Sequence, residues 1–431
     1  MIELSEAVES IPLSPTLWAN ELVWAKRASG ETVYHMGFGE SPFPVPERLQ
    51  KALGAAAGRK EYIQSAGLPE LLKAVREYYR PFLGDYVDAC DVIVAPGSKL
   101  ILYALQVAIK GDLLMPVPSW VSYEPQAKLI GTAVVKVPTT LDDAGYHLSP
   151  EHPKYAIYNA REECKNPTKI ILNYPNNPTG LTIPEEELPG IAKVCQDEGV
   201  LIISDEIYGR VSFDRDYSSI APHAPENTAV TTGLSKHLSL GGWRLGVGFI
   251  PKGVEGLQGA LCRFISETWS CVPAPVQVAA IEAYKGYEDI EKHIDDCRDV
   301  HAVMNKYISQ GLKDLGITCS GAQGAFYNYP DFSLFREELA SHGIRTSQDL
   351  HEHLLREYDL ATLPGSAFGE EPDVLTLRLS GCDYDGAAAL KAYQGGEVLD
   401  DAFVAKYAPH IVKQIEIFGR FMEKMKSKRA A

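Results

Sequence analysis

Long apolar runs are missing from this 431-residue chain. No stretch of about 18 apolar residues occurs, so no membrane-spanning helix is expected. Basic charge is also short: 41 Lys and Arg stand against 57 Asp and Glu, a formal net charge of -16. Such a surface repels a phosphate backbone, and nucleic acid is not an expected partner. The only basic cluster is the tail from Lys424 to Arg429. The eight cysteines are Cys90, Cys164, Cys195, Cys262, Cys271, Cys297, Cys319 and Cys382, with no C-x-x-C pair and no His at zinc-finger spacing. Neither a disulfide framework nor a metal site is therefore expected, and free thiols in a reducing compartment are the simplest reading. The amino terminus, Met1-Ile2-Glu3-Leu4-Ser5-Glu6, lacks a basic segment followed by an apolar one. A cytoplasmic protein is expected. Internal repeats and low-complexity tracts are absent, which excludes solenoid and disordered classes.

What is present is an ordinary globular composition, 45% hydrophobic and 23% charged, in a chain longer than one core usually organises. From about residue 90 to 250, short β-branched runs alternate with helical patterns, the signature of a mostly parallel sheet flanked by helices. The expected strands are 92–95, 113–116, 169–172, 200–203 and 245–250. Between them, Ser98 is expected to cap a helix that stops at Gly111, and Pro184 to open one that ends at Gly199. After about residue 275 the apolar period is long and helical, then strand-like near 325–329 and 374–379, which indicates a smaller α+β domain. The expected division is a large α/β domain over 47–290 and a small domain from 1–46 and 291–431.

The most informative stretch is Gly233-Leu234-Ser235-Lys236-His237-Leu238-Ser239-Leu240-Gly241-Gly242-Trp243-Arg244-Leu245-Gly246. Small residues around Lys236 let a bulky group approach the backbone, and Gly241 and Gly242 allow a turn that swings Arg244 back toward a phosphate near the lysine. The run resembles the cofactor-attachment signature of class I aminotransferases, the fold type I enzymes of the aspartate aminotransferase superfamily that use pyridoxal 5′-phosphate (PLP). The resemblance extends along nearly the whole chain. It implies that Lys236 carries the cofactor as a Schiff base and then moves the proton between the substrate α-carbon and the cofactor.

Other segments fit the same resemblance. Asp205, in Ser204-Asp205-Glu206-Ile207-Tyr208, follows a buried-strand pattern and lies where open α/β sheets bind ligands, beyond the carboxyl end of a strand. A carboxylate there would keep the cofactor ring nitrogen protonated. The resemblance places Tyr208 and Asn177, the latter in Asn173-Tyr174-Pro175-Asn176-Asn177-Pro178-Thr179-Gly180, on the cofactor's phenolic oxygen. It gives Trp120 the stacking face, and Ser235 and Arg244 cofactor contacts. Gly97, Ser98 and Lys99 open a helix whose unpaired N–H groups suit the phosphate. Tyr62 is implied to reach the phosphate of a neighbouring subunit, so that a homodimer shares its active sites.

For substrate, the resemblance gives Arg378, in Thr376-Leu377-Arg378-Leu379-Ser380, the α-carboxylate, which a planar fork suits. Gly39 falls in the segment that closes over substrate, although Ser41-Pro42-Phe43 departs from the commoner Pro-Asp-Phe. Lys99 matches a lysine that takes a distal carboxylate in one bacterial-type aspartate and prephenate subgroup, and Ser14 and Thr16 resemble residues of that pocket. The expected reaction is amino-group transfer from an L-amino acid to a 2-oxo acid, with 2-oxoglutarate on one half-reaction and aspartate, alanine or an aromatic amino acid as donor. Elimination, synthase or oxidase chemistry on the same cofactor is the alternative, because the same residues serve all of them.

Overall fold

A computed structural model describes the chain except residues 1–2, 10, 12, 143–144, 216 and 428–431; of Thr16, Trp18, Asp142 and Ser427 it describes only the backbone. The end of the basic tail, Lys428 and Arg429, lies outside the described residues.

The large domain is built on a seven-stranded sheet in the order Cys90–Ala95, Gly246–Pro251, Thr228–Gly233, Leu201–Asp205, Pro167–Asn173, Asp112–Val117, Val134–Pro138. Gly246–Pro251 is antiparallel to both neighbours, and the remaining neighbours run parallel. The central strands are buried along their length because helices cover both faces, and their side chains alternate between two cores. Ile171, Leu201 and Ile203 face the core shared with Ile101, Leu105, Leu257 and Leu261. Ile170, Leu172 and Ile202 face Ile157, Leu188 and Ile191.

All five expected strands form. Two more strands of this sheet were not read from the sequence. Val134–Pro138 is an edge strand, and Thr228–Gly233 leads directly to Lys236. The threonines of the latter weaken its apolar signal, and Thr231 uses its hydroxyl on a buried carboxylate instead. Two helix boundaries are corrected. Gly97, at φ 90°, occupies the cap position, and Ser98 is the first residue of the helix Ser98–Ala108. That helix ends before Gly111 because Ile109 is extended, and the Lys169 ammonium takes the carbonyls of Ile109 and Gly111. After Pro184 the chain makes a short 3-10 turn over Glu185–Glu187, and the α-helix spans only Leu188–Asp197. Pro189, which has no N–H to donate, is tolerated only in a first turn and so sets the start there.

The smaller domain packs the long helix Glu288–Asp314 and the helices Ser347–Tyr358, Gly386–Gln394 and Pro409–Ser427 around a three-stranded sheet. In that sheet Leu377–Ser380 lies between Tyr327–Asn328 and Leu363–Pro364, so the strand pieces are shorter than expected. The amino-terminal strand Tyr34–His35 pairs with Leu360–Ala361, which brings Met36 and Phe43 into a core with Val300, Met304, Leu377 and Phe418. Glu288–Asp314 runs through the boundary expected at 290–291: Ile290 and Ile294 face the large-domain core and Val300 and Met304 the small one.

Candidate active site

The parallel strands all end at one edge of the sheet, and each delivers a loop there. Asn173 is level with Asp205, and Asp205 with Thr231. Because Gly246–Pro251 runs the opposite way, its first residue pairs with Ala95 and Gly233, the last residues of its neighbours. Arg244, two residues earlier, therefore arrives beside Pro96-Gly97-Ser98 and just past Lys236. A cavity of about 460 Å³ opens at this edge. Its lining includes Gly39, Gly97, Ser98, Lys99, Trp120, Asn177, Asp205, Tyr208, Ser235, Lys236, Arg244 and Arg378. Among the residues singled out from the sequence for cofactor or substrate, Tyr62 stands apart: it is 94% exposed and does not line the cavity. Ser14 lines it, while the Thr16 side chain lies outside the described residues.

Asp205 is 3% exposed. Tyr123 Oη donates to its Oδ2 at 2.7 Å and Thr231 Oγ1 to its Oδ1 at 3.1 Å. Burial pushes the carboxyl up to about 6, against the pull of those hydrogen bonds, the Ile207 N–H and the Lys236 charge. Burial is also the main reason that the Lys236 ammonium falls to about 8. Its Nζ donates to the Gly39 carbonyl at 2.9 Å and lies 5.5 Å from the ring centres of Tyr208 and Phe326. Tyr208 and Tyr327 share a hydroxyl hydrogen bond of 2.8 Å.

At one end of the cavity, Arg244 donates through Nη1 to the Gly241 carbonyl at 3.0 Å and through Nη2 to the Pro96 carbonyl at 3.3 Å. A Cβ on Gly97 would lie 2.3 Å from Arg244 Nη2, so this approach requires glycine. Lys99 Nζ sits 5.0 Å over the Trp120 ring, its pKa lowered by burial and then by Arg244. At the other end, Arg378 is 1% exposed. Its Nη1 donates to Asn177 Oδ1 at 3.1 Å, its Nη2 donates to the Gly37 carbonyl, and its Nε has no hydrogen-bond partner among the described residues. Burial lowers its pKa, and no described carboxylate pairs with it. Four cations (Lys99, Lys236, Arg244, Arg378) thus face two carboxylates, Asp205 and Glu40. The cavity is built for anions.

The family described as "Aminotransferase class I and II" matches residues 31–385. The chain belongs to the class I and II aminotransferase family. An aspartate aminotransferase of Geobacillus stearothermophilus is 34% identical over 383 residues, which cover 86% of this chain and 93% of that protein. A probable aspartate/prephenate aminotransferase of Aquifex aeolicus is 32% identical, over 85% of this chain and 91% of that one. Among solved structures, the aspartate aminotransferase from Thermus thermophilus with maleate superposes with a TM-score of 0.82 at 26% identity, covering 97% of this chain and all of the other. The protein is a PLP-dependent aminotransferase of fold type I, and it acts on amino and oxo acids.

The donor set of this aminotransferase fits PLP. A helix amino terminus and Arg244 form an anion cradle that a Cβ at Gly97 would fill. A buried carboxylate, which can only accept when it is ionised, takes two hydroxyl donors and no ion pair among the described residues, which suits a protonated ring nitrogen. Tyr123 and Thr231, which hold that carboxylate, were not read from the sequence; neither sits in a motif, and Thr231 reaches Asp205 through the sheet register while Tyr123 reaches it from the start of the helix Tyr123–Leu129. Tyr327 also lines the cavity. Its hydroxyl lies against Tyr208, and its ring lies 4.5 Å from the Arg378 guanidinium.

Proposed function

We propose that this aminotransferase moves the amino group of an L-amino acid to a 2-oxo acid, with 2-oxoglutarate serving one half-reaction and aspartate, alanine or an aromatic amino acid as donor. The observation that carries the acidic partner is the charge balance of the cavity. A phosphate takes Arg244 and the helix terminus, an α-carboxylate takes Arg378, and Lys236 is the reacting amine. With Glu40 acting on Lys236 and no described carboxylate paired with Lys99, Lys99 is then a cation without an anion, and a second carboxylate on the substrate supplies it.

When bound, PLP supplies a protonated ring that takes up the electron pair left on the substrate α-carbon. Asp205 holds the proton on the ring nitrogen, and its anionic form is kept by Tyr123 and Thr231. Lys236 takes the proton from the α-carbon and returns it to the cofactor side. With its pKa near 8, roughly a tenth of the amine is neutral near pH 7, against roughly one in several thousand for an ordinary lysine. Gly97, Ser98, Ser235 and Arg244 would hold the phosphate, Trp120 would cover the ring face, and Asn177 and Tyr208 would hold the phenolic oxygen. Arg378 fixes the α-carboxylate, and the fork is pre-aimed because Asn177 and the Gly37 carbonyl hold two of its nitrogens. Gly39 borders the substrate space.

We further propose a cytoplasmic homodimer in which Tyr62, wholly outside its own cavity, reaches the phosphate of the partner's site. No helix among the described residues is long and apolar enough to cross a membrane, and the eight cysteines are free. The units 47–290 and 1–46 with 291–431 are the proposed domains. The test is product analysis on the PLP-loaded protein with each donor. Glutamate formed in step with the donor's 2-oxo acid, only when 2-oxoglutarate is present, supports the reading. Ammonia or peroxide released without an acceptor contradicts it and favours lyase or oxidase chemistry.

A further inference from the structure

The segment from Gly37 to Phe43 borders the cavity and is fastened at four points. The Gly37 carbonyl accepts from Arg378, and the Gly39 carbonyl accepts from Lys236 at 2.9 Å. Ser41 Oγ meets Ser239 Oγ at 2.7 Å. Phe43 is buried against His301 and Tyr384, with ring centres 4.8 and 6.0 Å apart. The first two contacts use groups that also meet cofactor and substrate, the Arg378 guanidinium and the Lys236 amine. Phe43 anchors the segment to the small-domain core and not to the lysine loop. Among the described residues, the hydrogen bond that ties the segment directly to the loop of Lys236 without using a reacting group is Ser41–Ser239.

Two further observations concern this pair. Ser41 is 8% exposed, so its hydroxyl is largely shut off from water and depends on its partner. Ser239 holds a left-handed backbone at φ 57°, an unfavourable conformation for a residue with a Cβ, kept here three residues after Lys236. The Tyr327 hydroxyl would lie 1.8 Å from a Cβ on Gly39, so the close packing of the segment against Tyr327 requires glycine there.

We propose that Ser41 and Ser239 are positioning residues: their hydrogen bond holds the Gly39 carbonyl over the Lys236 amine, so that the amine released from the cofactor stays aimed while it moves its proton. The proposal rests on the reading of Lys236 as the reacting lysine. It is tested by a double-mutant cycle of Ser41→Ala, Ser239→Ala and the pair, with Ser41→Thr as the conservative control and Ser239→Gly as the variant that removes the hydroxyl while easing the backbone. Amide exchange of residues 38–41 is read in the cofactor-free and the PLP-loaded protein, alongside kcat and KM.

Each single alanine variant is expected to speed exchange of those amides about fivefold, the worth of one ordinary hydrogen bond, and to lower kcat by a similar factor while the donor KM changes less than twofold. The double variant is expected to equal either single one, Ser41→Thr to restore wild-type values, and Ser239→Gly to match Ser239→Ala. Additive effects, unchanged exchange, faster exchange with unchanged kcat, or a wild-type Ser239→Gly would each overturn the proposal. The exchange cycle in the cofactor-free protein does not depend on chemistry at Lys236. Its failure is therefore separable from failure of the lysine assignment, which is read from the cofactor attached to Lys236.

Discussion

Removing one hydroxyl, by Tyr123→Phe, tests how this fold sets the charge of Asp205. The ring remains, and with it the edge-on packing against Trp120 at 5.3 Å, so the change is confined to the 2.7 Å bond on Oδ2. A hydrogen bond to a charged group contributes about 1.5–3 kcal/mol, and one pKa unit corresponds to about 1.4 kcal/mol. The carboxyl, already pushed up to about 6 by burial, should therefore rise by about one to two further units. If PLP binding needs the ionised form, affinity in the wild type weakens as pH falls through about 6, and in the variant the weakening begins one to two units higher. At pH 6 the variant should bind about 5–50-fold more weakly, and near pH 9 the two should agree. Titration of Lys236 is common to both proteins and cancels in the ratio. Equilibrium binding of PLP to cofactor-free protein between pH 5 and 9 measures this directly. A ratio that does not vary with pH would refute the electrostatic reasoning and assign Tyr123 a purely geometric role.

Three other outcomes follow from the site. Lys99→Ala should lower kcat/KM for dicarboxylic substrates by about 10–100-fold and leave monocarboxylic ones nearly unchanged, as measured with paired substrates differing only in the distal carboxylate. Arg378→Lys keeps the charge but loses the fork, so kcat/KM should fall by about 10–100-fold for every donor whatever its side chain, in steady-state assays across a donor panel. Mixing Tyr62→Ala with Lys236→Ala subunits should produce hybrid dimers in which one site carries both defects and the other neither; recovery of activity on mixing checks this, and its absence argues against shared sites.

Much of the site was legible because its residues follow buried strands. Asp205 and Lys236 sit at or just beyond strand ends, where short signature runs locate them, and Arg244 is carried to the same edge by its own run. What sequence could not supply was which distant segments meet at the sheet edge. Thr231 and Tyr123 reach Asp205 across the sheet edge from segments 26 and 82 residues away, and no spacing rule connects them. Ser41-Pro42-Phe43 read only as a departure from the commoner segment, and it acquires meaning once Ser239 is found beside it. The helix at Pro184 was started too early because the apolar period continues through a proline that the backbone cannot place mid-helix. The strand Thr228–Gly233 is hard to read because Thr228, Thr231 and Thr232 break its apolar run, and of these Thr231 serves the site.

The central claim is that Lys236 is the amine that carries PLP. The direct measurement is borohydride reduction of the PLP-loaded protein followed by peptide mass spectrometry, on the wild type and on Lys236→Ala. The account predicts the reduced cofactor on the peptide containing Lys236, none in the variant, and loss of the adduct when an amino donor converts the cofactor before reduction. Attachment at another lysine, including Lys99, or an unaltered adduct in the variant would contradict it.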